Sequence, residues 1–207
     1  MSRLFITQTY HRNLLERYLW KFRHLLSGKL LDVGSGTRRY DHLFVGDMTA
    51  IDLLPDAKKK ILSGDIERGL PYDDQTFDGI LCIEVLEYLR DYRRAIREIH
   101  RLLRPGGYAF LTIPCLYPDH GDRVRFTERF FTEELSPLFS KVESHRIGNG
   151  WTVIWDVLRL KIMRTKSGWT RWLVFLFILP YLIIIKVCGL EKKTDEFYSG
   201  IFVVARK

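Results

Sequence analysis

Four acidic residues stand where apolar runs give out, and a glycine turn stands beside the first of them. Asp32 follows Leu30 and Leu31, and Gly34, Ser35 and Gly36 come directly after in LLDVGSGTRRY, residues 30–40. An apolar pair breaking into two glycines around a serine reads as a buried strand entering a tight turn, where backbone comes close to a bound ligand. Asp52 ends the short run from Thr49, Asp65 the run from Lys60, and Glu84 the run from Phe77. A nicotinamide dinucleotide is one ligand to weigh. Its fingerprint asks for a third glycine where Arg39 stands, and a GxG alone is weak evidence, so that reading loses ground.

These acids need a sheet to hold them. Apolar or aromatic residues at Tyr10, Leu14, Tyr18, Phe22 and Leu25 recur at helical spacing, so an amphipathic helix is expected over 9–27 with Gly28 as its stop. Strands are expected over 29–33, 49–53, 60–66, 77–85 and 108–113, with a short helix over 40–44. The almost uninterrupted FDGILCIEV, residues 77–85, suits a central strand covered on both faces. Residues 91–103 carry a helical stripe at Tyr92, Ala95, Ile96, Ile99, Leu102 and Leu103, stopped by Pro105, Gly106 and Gly107. Strands alternating with helices imply right-handed crossovers and a parallel sheet with helices on both faces. Ligands of such sheets bind at the carboxyl ends of the strands, near the switch in strand order, where all four acids fall.

From Lys29 to Pro114 the arrangement resembles the class I methyltransferases that use S-adenosyl-L-methionine. The resemblance rests on the acid-and-glycine turn, on LPYDDQTFDGILCIEVLEYL (70–89) and on REIHRLLRPGGYAFLTIP (97–114). It implies a Rossmann-like α/β fold with a mostly parallel seven-stranded sheet. It also implies that Asp32 and the loop of Gly34, Ser35, Gly36 and Thr37 surround the methionine part of the cofactor. Asp52, followed by Leu53, matches the acid that accepts both ribose hydroxyl protons, and Asp65 with Ile66 matches the pair at the adenine. Ile83 and Glu84 complete the expected cofactor set. Arg38 departs from the family, which often has a small residue there; it crowds the loop or pairs with a carboxylate. Any one acid alone reads equally well as a turn former, strand-end acid or helix cap, but four in the family's order do not.

The loop after the fifth strand begins where an acceptor meets the activated methyl group. PCLYPDHGDRVRFTERFFTEEL, residues 114–135, is similar to a methyltransferase subgroup associated with glycan and cell-envelope biosynthesis, through Tyr117, Pro118, His120 and Gly121, then Arg125, Phe126 and Thr127. Methyl transfer is an in-line displacement, so the enzyme mainly positions the acceptor and, for a hydroxyl, removes its proton. His120 is the candidate base, since imidazole titrates near neutral pH, with Asp119 and Asp122 behind it. A histidine that merely holds the loop is the competing reading. Arg125 suits an acidic or phosphorylated acceptor, or simply pairs with Glu128 or Glu134. TEELSPLF, residues 132–139, reads as a capped helix that Pro137 complicates.

After a sixth strand over 142–147, Trp151, Ile154, Trp155, Leu158 and Ile162 form a stripe with Arg159, Lys161 and Arg164 off it, a basic amphipathic helix suited to a headgroup boundary. WLVFLFILPYLIII, residues 172–185, follows. Fourteen residues span about 21 Å as a helix, short of the roughly 30 Å hydrocarbon core. GIFVVARK, residues 200–207, reads as the last strand beside the sixth, which puts both ends of the insertion on one side of any membrane. An in-plane helix pair, a re-entrant hairpin turned at Pro180, a lid and a dimer interface all remain open. The expected organisation is therefore a core over 1–150, a helical insertion over 151–198 and a closing strand over 199–207.

The 207 residues carry a formal net charge of +8. Basic residues flanking an apolar block favour lipid over nucleic acid, since lipid attraction needs cation and apolar surface together. Cys82, Cys115 and Cys188 are far apart and form no CxxC pair, which suits buried thiols in a reducing compartment. The first residues lack an uninterrupted apolar stretch, so no cleavable signal is expected. No tight cluster of His, Cys and acids points to a metal. The sequence thus leads to a cytoplasmic methyltransferase at a membrane's inner face, acting on a hydroxyl of a small-molecule, glycan or lipid-linked acceptor. Its rivals are a quinone or lipid-precursor methyltransferase and a cofactor-binding interaction protein without turnover.

Overall fold

Alternation of side chains across each strand divides one sheet into two cores. The computed structural model describes residues 8–116, 120–192 and 196–207. Strands β1 (Ser27–Val33), β2 (Val45–Asp52), β3 (Ile61–Ser63), β4 (Phe77–Ile83), β5 (Leu103–Pro114), β6 (Lys141–Ile147) and β7 (Gly200–Arg206) form a single sheet in the order β3-β2-β1-β4-β5-β7-β6. Strands β1 to β5 pair in parallel. The expectation of a parallel sheet is corrected at the far edge, where β7 runs antiparallel to both β5 and β6.

Leu31, Ile80, Cys82, Leu111 and Val203 point to one face, where α2 (Tyr92–Leu102) lays down Ala95, Ile96, Ile99 and Leu102, and α3 (Glu128–Leu135) adds Phe131 and Leu135. Leu30, Leu81, Phe110, Phe202 and Val204 point to the other, against Leu15, Leu19 and Phe22 of α1 (Tyr10–Phe22). The expected α1 stripe is therefore rotated by one residue: Leu14 and Tyr18 pack at its flank. Full burial of side chains this size contributes about 1.5–3 kcal/mol each.

Helix starts follow short polar side chains. Thr9 caps α1 through the Arg12 N–H, and Asp91 caps α2 through that of Arg94. Helix α3 begins four residues before the expected start because Thr127 accepts from the Phe130 N–H, and it stops at Leu135, two residues ahead of Pro137. Of the cysteines, Cys82 is buried and Cys115 half-buried, but Cys188 is exposed, contrary to the expected burial of all three thiols.

The insertion is a helical hairpin of α4 (Gly150–Met163) and α5 (Gly168–Val187). The chain turns between Met163 and Gly168 and runs straight through Pro180, which excludes a hairpin turned at that proline. Trp151 near the start of α4 meets Tyr181 near the end of α5, whose hydroxyl donates to the Trp151 carbonyl at 3.0 Å. Helix α5 is longer than the uncharged stretch alone: its 20 residues make it, by length and composition, one helix long and apolar enough to cross a membrane. Both ends of the hairpin nevertheless return to one edge of the sheet, where Ile147 pairs with Gly200 and the Ser199 N–H donates to the Ile147 carbonyl at 2.8 Å.

The stripe expected on α4 is also redrawn. Trp155 and Ile162 face inward with Thr152, Asp156 and Arg159, whereas Trp151, Ile154 and Leu158 face outward. Asp156 sets this orientation. Its carboxylate accepts the Tyr10 N–H at 2.6 Å and the His11 N–H at 2.9 Å, occupying two otherwise orphaned donors of the first turn of α1. Tyr10, Trp155, Leu182 and Ile185 close an apolar cluster around this contact. Asp156→Ala strips both donors of their partner, and the expected loss is about 2–4 kcal/mol, read as a lower urea midpoint at unchanged slope.

Candidate active site

The strand order reverses between β1 and β4, and the carboxyl ends of these strands open into a cleft of about 260 Å³. Val33, Gly34, Asp52, Leu53, Gly64, Asp65, Ile66, Glu84, Val85, Tyr88 and Leu89 line it. Gly34 turns the chain at a φ of 67°, and a Cβ there would lie 2.4 Å from Val85 Cγ2, so only glycine lets the turn close against the next strand's exit. The turn is laced to β2: the Ser35 N–H donates to the Ile51 carbonyl and the Gly36 N–H to Asp52 Oδ2, each at 3.0 Å.

Arg38 takes the second of the roles expected for it. It adopts a φ of 55°, pairs with Asp41 at 2.6 Å and donates to the carbonyls of Met48, Lys59 and Lys60. It therefore braces the turn against β2 and the entry to β3 instead of filling the cleft. Thr37 is exposed on the outer side of the turn. Ile83 is 8% exposed and packs in the core beneath α1, just ahead of Glu84 in the cleft.

Burial sets the charge of the remaining acids. Asp32 is 4% exposed; burial foremost, with Asp41 and Asp52 adding and Arg38 opposing, pushes its carboxyl up to about 7. Asp52 also accepts the Leu54 N–H at 3.0 Å. Asp65 lies beyond the end of β3, which stops at Ser63, and is partly a turn former: it accepts the Glu67 N–H at 3.0 Å and meets Arg68 at 3.2 Å. Glu84 adopts a φ of 58° and accepts from the Thr112 hydroxyl at 2.9 Å, with His11 Nε2 3.4 Å from its other oxygen. Burial pushes the Glu84 carboxyl up, but the His11 and Thr112 contacts outweigh it and leave the group below its ordinary range.

His11, Thr112 and Glu87 were not among the expected site residues. His11 sits next to Tyr10 on the buried side of α1, and only its place beside the apolar stripe hinted at it. It reaches Ser199 through Nδ1 at 2.8 Å as well as Glu84, so it joins α1, β4 and the entry to β7. Glu87 lies in the single turn after β4, fully buried, and neither carboxylate oxygen has a hydrogen-bond partner among the described residues. Its carbonyl receives the N–H groups of Arg123 (2.7 Å) and Val124 (3.3 Å), which ties the loop after β5 to the floor of the cleft.

On that loop the structure brings His120 to the cleft: its ring packs edge-to-face on Tyr88 at 5.4 Å, and Nδ1 lies 3.3 Å from Asp122. Arg125 forms a two-pronged pair with Asp122, which holds that carboxyl well below its usual range, and donates to the Cys115 carbonyl at 3.0 Å. Arg125 thus braces the loop through Asp122, whereas Glu128 and Glu134, its expected partners, pair with Arg146 and Arg93. Tyr117, Pro118 and Asp119 lie outside the described residues.

Burial foremost, then Glu84, raises the Glu87 carboxyl from 4.5 to about 9. The native state therefore keeps a proton that the unfolded chain releases, and Glu87 costs stability progressively as pH rises from about 4.5 to about 9. The melting temperature should fall between pH 5 and 9 less steeply in Glu87→Gln than in the parent; parallel curves would refute the assignment.

The fit of this cleft to a cofactor can be judged from its own groups. The Ser35 hydroxyl is buried without a hydrogen-bond partner among the described residues. Asp32 holds a buried carboxyl whose pKa burial raises against the opposing charge of Arg38, and the cleft runs from Gly34 past Asp52 to Asp65 and Ile66. These groups suit a ligand with a cationic end and a nucleoside. Residues 31–111 match the family model described as "Methyltransferase domain". The chain is 32% identical over 159 residues to rice (Oryza sativa subsp. japonica) 2-methyl-6-phytyl-1,4-hydroquinone methyltransferase 1, covering 69% of this chain and 45% of the rice protein. It is 33% identical over 104 residues to a ubiquinone biosynthesis O-methyltransferase of Xanthomonas oryzae pv. oryzae, covering 42% of this chain and 44% of that protein. The chain thus spans less than half the length of these curated relatives. A solved SAM-dependent methyltransferase from Archaeoglobus fulgidus shares the fold, with a TM-score of 0.60 and 14% identity over 95% of this chain and 94% of that one. Residues 31–111 are thus similar to a methyltransferase domain, and the chain shares the fold of a solved SAM-dependent methyltransferase.

Proposed function

We propose that the protein methylates a hydroxyl oxygen of a lipophilic acceptor, lipid-linked or quinone-like, at the cytoplasmic surface of a membrane. The observation that carries this reading is the α4–α5 hairpin. It is fastened beside the cleft by Asp156 and His11, yet it turns outward an apolar surface that includes Trp169, Trp172, Phe177 and Val187, with Phe177 82% exposed. Arg164, Lys166 and Arg171 lie at its turn. Apolar surface bordered by cations suits the headgroup boundary of an anionic leaflet. Because α4 holds Asp156 against α1, one side of the hairpin is committed to protein, and the hairpin lies along the surface rather than across it.

In this reading Asp32 and the turn of Gly34, Ser35 and Gly36 receive the methionine end of the cofactor. Asp52 and Leu53 receive its ribose, and Asp65 with Ile66 its adenine. Bound S-adenosylmethionine supplies an electrophilic methyl carbon on a sulfonium. The chain's own part would be to hold the acceptor oxygen in line with that carbon and to take the hydroxyl proton. His120 is the base in this reading, supported by Asp122 at 3.3 Å from Nδ1, which favours the tautomer with a basic Nε2, and by the edge-to-face packing of its ring on Tyr88. Glu84, held by His11 and Thr112, keeps a fixed negative charge at the same strand ends.

Replacing Leu176 and Phe177 by Asp should abolish flotation on anionic liposomes. It should also lower transfer of labelled methyl from S-adenosylmethionine into a membrane lipid extract, read by mass; flotation and transfer equal to the parent would refute the surface reading. His120→Ala should lower kcat by about 10²–10⁴-fold while leaving cofactor affinity intact, and unchanged turnover would remove it as the base.

A further inference from the structure

The α4–α5 hairpin encloses a second cavity, of about 270 Å³, which shares no residue with the cofactor cleft. Its walls are Ile162, Met163, Trp172 and Phe175, and two arginines, Arg159 and Arg171, enter it. Arg159 is 9% exposed, and its charge also acts on Asp156 of the same helix. Arg171 stands in the first turn of α5, the end of a helix that favours anions, and that turn holds no acidic residue. Two cations and the positive end of a helix therefore converge on a cavity whose remaining lining is apolar.

From this we infer that the cavity is a binding site for the phosphate headgroup of a single anionic membrane lipid. Guanidinium groups match phosphate oxygens with paired N–H donors. The apolar lining continues outward into the exposed side chains of Trp169, Trp172 and Leu173, which gives the first carbons of an acyl chain a path from the headgroup to the bilayer. A free inorganic phosphate would gain from the arginines but not from these walls, so the pairing of charge with apolar surface selects an amphiphile. Bound lipid would also bridge α4 to α5 near the turn of the hairpin, away from the end where Tyr181 meets Trp151.

The inference rests on the membrane-surface reading for its source of lipid, but it can be tested without a membrane. The full chain is titrated calorimetrically with dihexanoyl phosphatidic acid below its micelle concentration, and separately with inorganic phosphate. Saturable one-to-one binding of the lipid is expected, weakened about ten-fold or more in Arg171→Gln and unaffected in Lys161→Gln, which removes the same charge outside the cavity. Trp172→Ala should weaken the lipid and leave inorganic phosphate unchanged. Equal weakening by Lys161→Gln, binding of inorganic phosphate as tight as that of the lipid, or no saturable binding would each overturn the site. A chain that floats on anionic vesicles yet fails to bind the monomeric lipid retains the membrane reading and loses this site.

Discussion

A carboxylate that is 4% exposed persists only if its oxygens are occupied, and Asp156 meets that condition with the first N–H groups of α1. Burial still pushes its carboxyl up to about 6, against the pull of those N–H groups, so the contact works against a desolvation cost. What it secures is geometric. The same two residues of α1 that donate to Asp156 place the Tyr10 ring in the apolar cluster of the hairpin and the His11 ring between Glu84 and Ser199. The insertion, the leading helix and the reactive edge of the sheet are consequently joined by one set of contacts. An apolar appendage that was merely tethered at the Ile147 and Gly200 register would lack this orientation.

The reactive edge is rich in acids and short of cations that reach into it. Asp32 and Glu87 are both raised by burial, whereas Glu84 is held down by His11 and Thr112. The arginines of the region serve elsewhere, Arg38 bracing the glycine turn and Arg125 bracing the loop of His120. Of the acids, Glu87 is protonated at neutral pH while Glu84 keeps its negative charge, and that fixed charge favours a ligand with positive charge, as a sulfonium nucleoside has. On the hairpin the balance is reversed, with cations beside apolar surface. The two regions thus have opposite electrostatic preferences, one for a cationic cofactor and one for an anionic surface.

Much of this was legible in the residues. The short apolar runs, the glycine turn and the order of Asp32, Asp52, Asp65 and Glu84 sufficed for the fold class, because burial on both faces leaves strands with an unmistakable composition. What local pattern could not reach were contacts between distant residues. His11 and Glu84 are 73 positions apart, and Asp156 lies 146 positions from Tyr10. No periodicity marks such pairs. The stripe expected on α4 failed for a related reason: a helix that is apolar nearly all round has no preferred face until a partner is chosen, and Asp156 made the choice. Pro180 misled because proline usually ends a helix, yet α5 carries it on an exposed side.

By itself, then, the sequence determined that a mostly parallel α/β sheet would form, that its carboxyl edge would present acids around a glycine turn, and that a long apolar segment would interrupt the chain before its last strand. These properties follow from local composition and from the short range over which strands and turns are specified. The tertiary structure alone decided that β7 would run antiparallel, that Arg38 and Arg125 would brace loops instead of meeting ligands, and that the apolar segment would fold back on α4 beside the cleft. Each of those outcomes depends on which buried polar group finds which partner across the fold, and burial makes an unmet partner costly enough to select one arrangement.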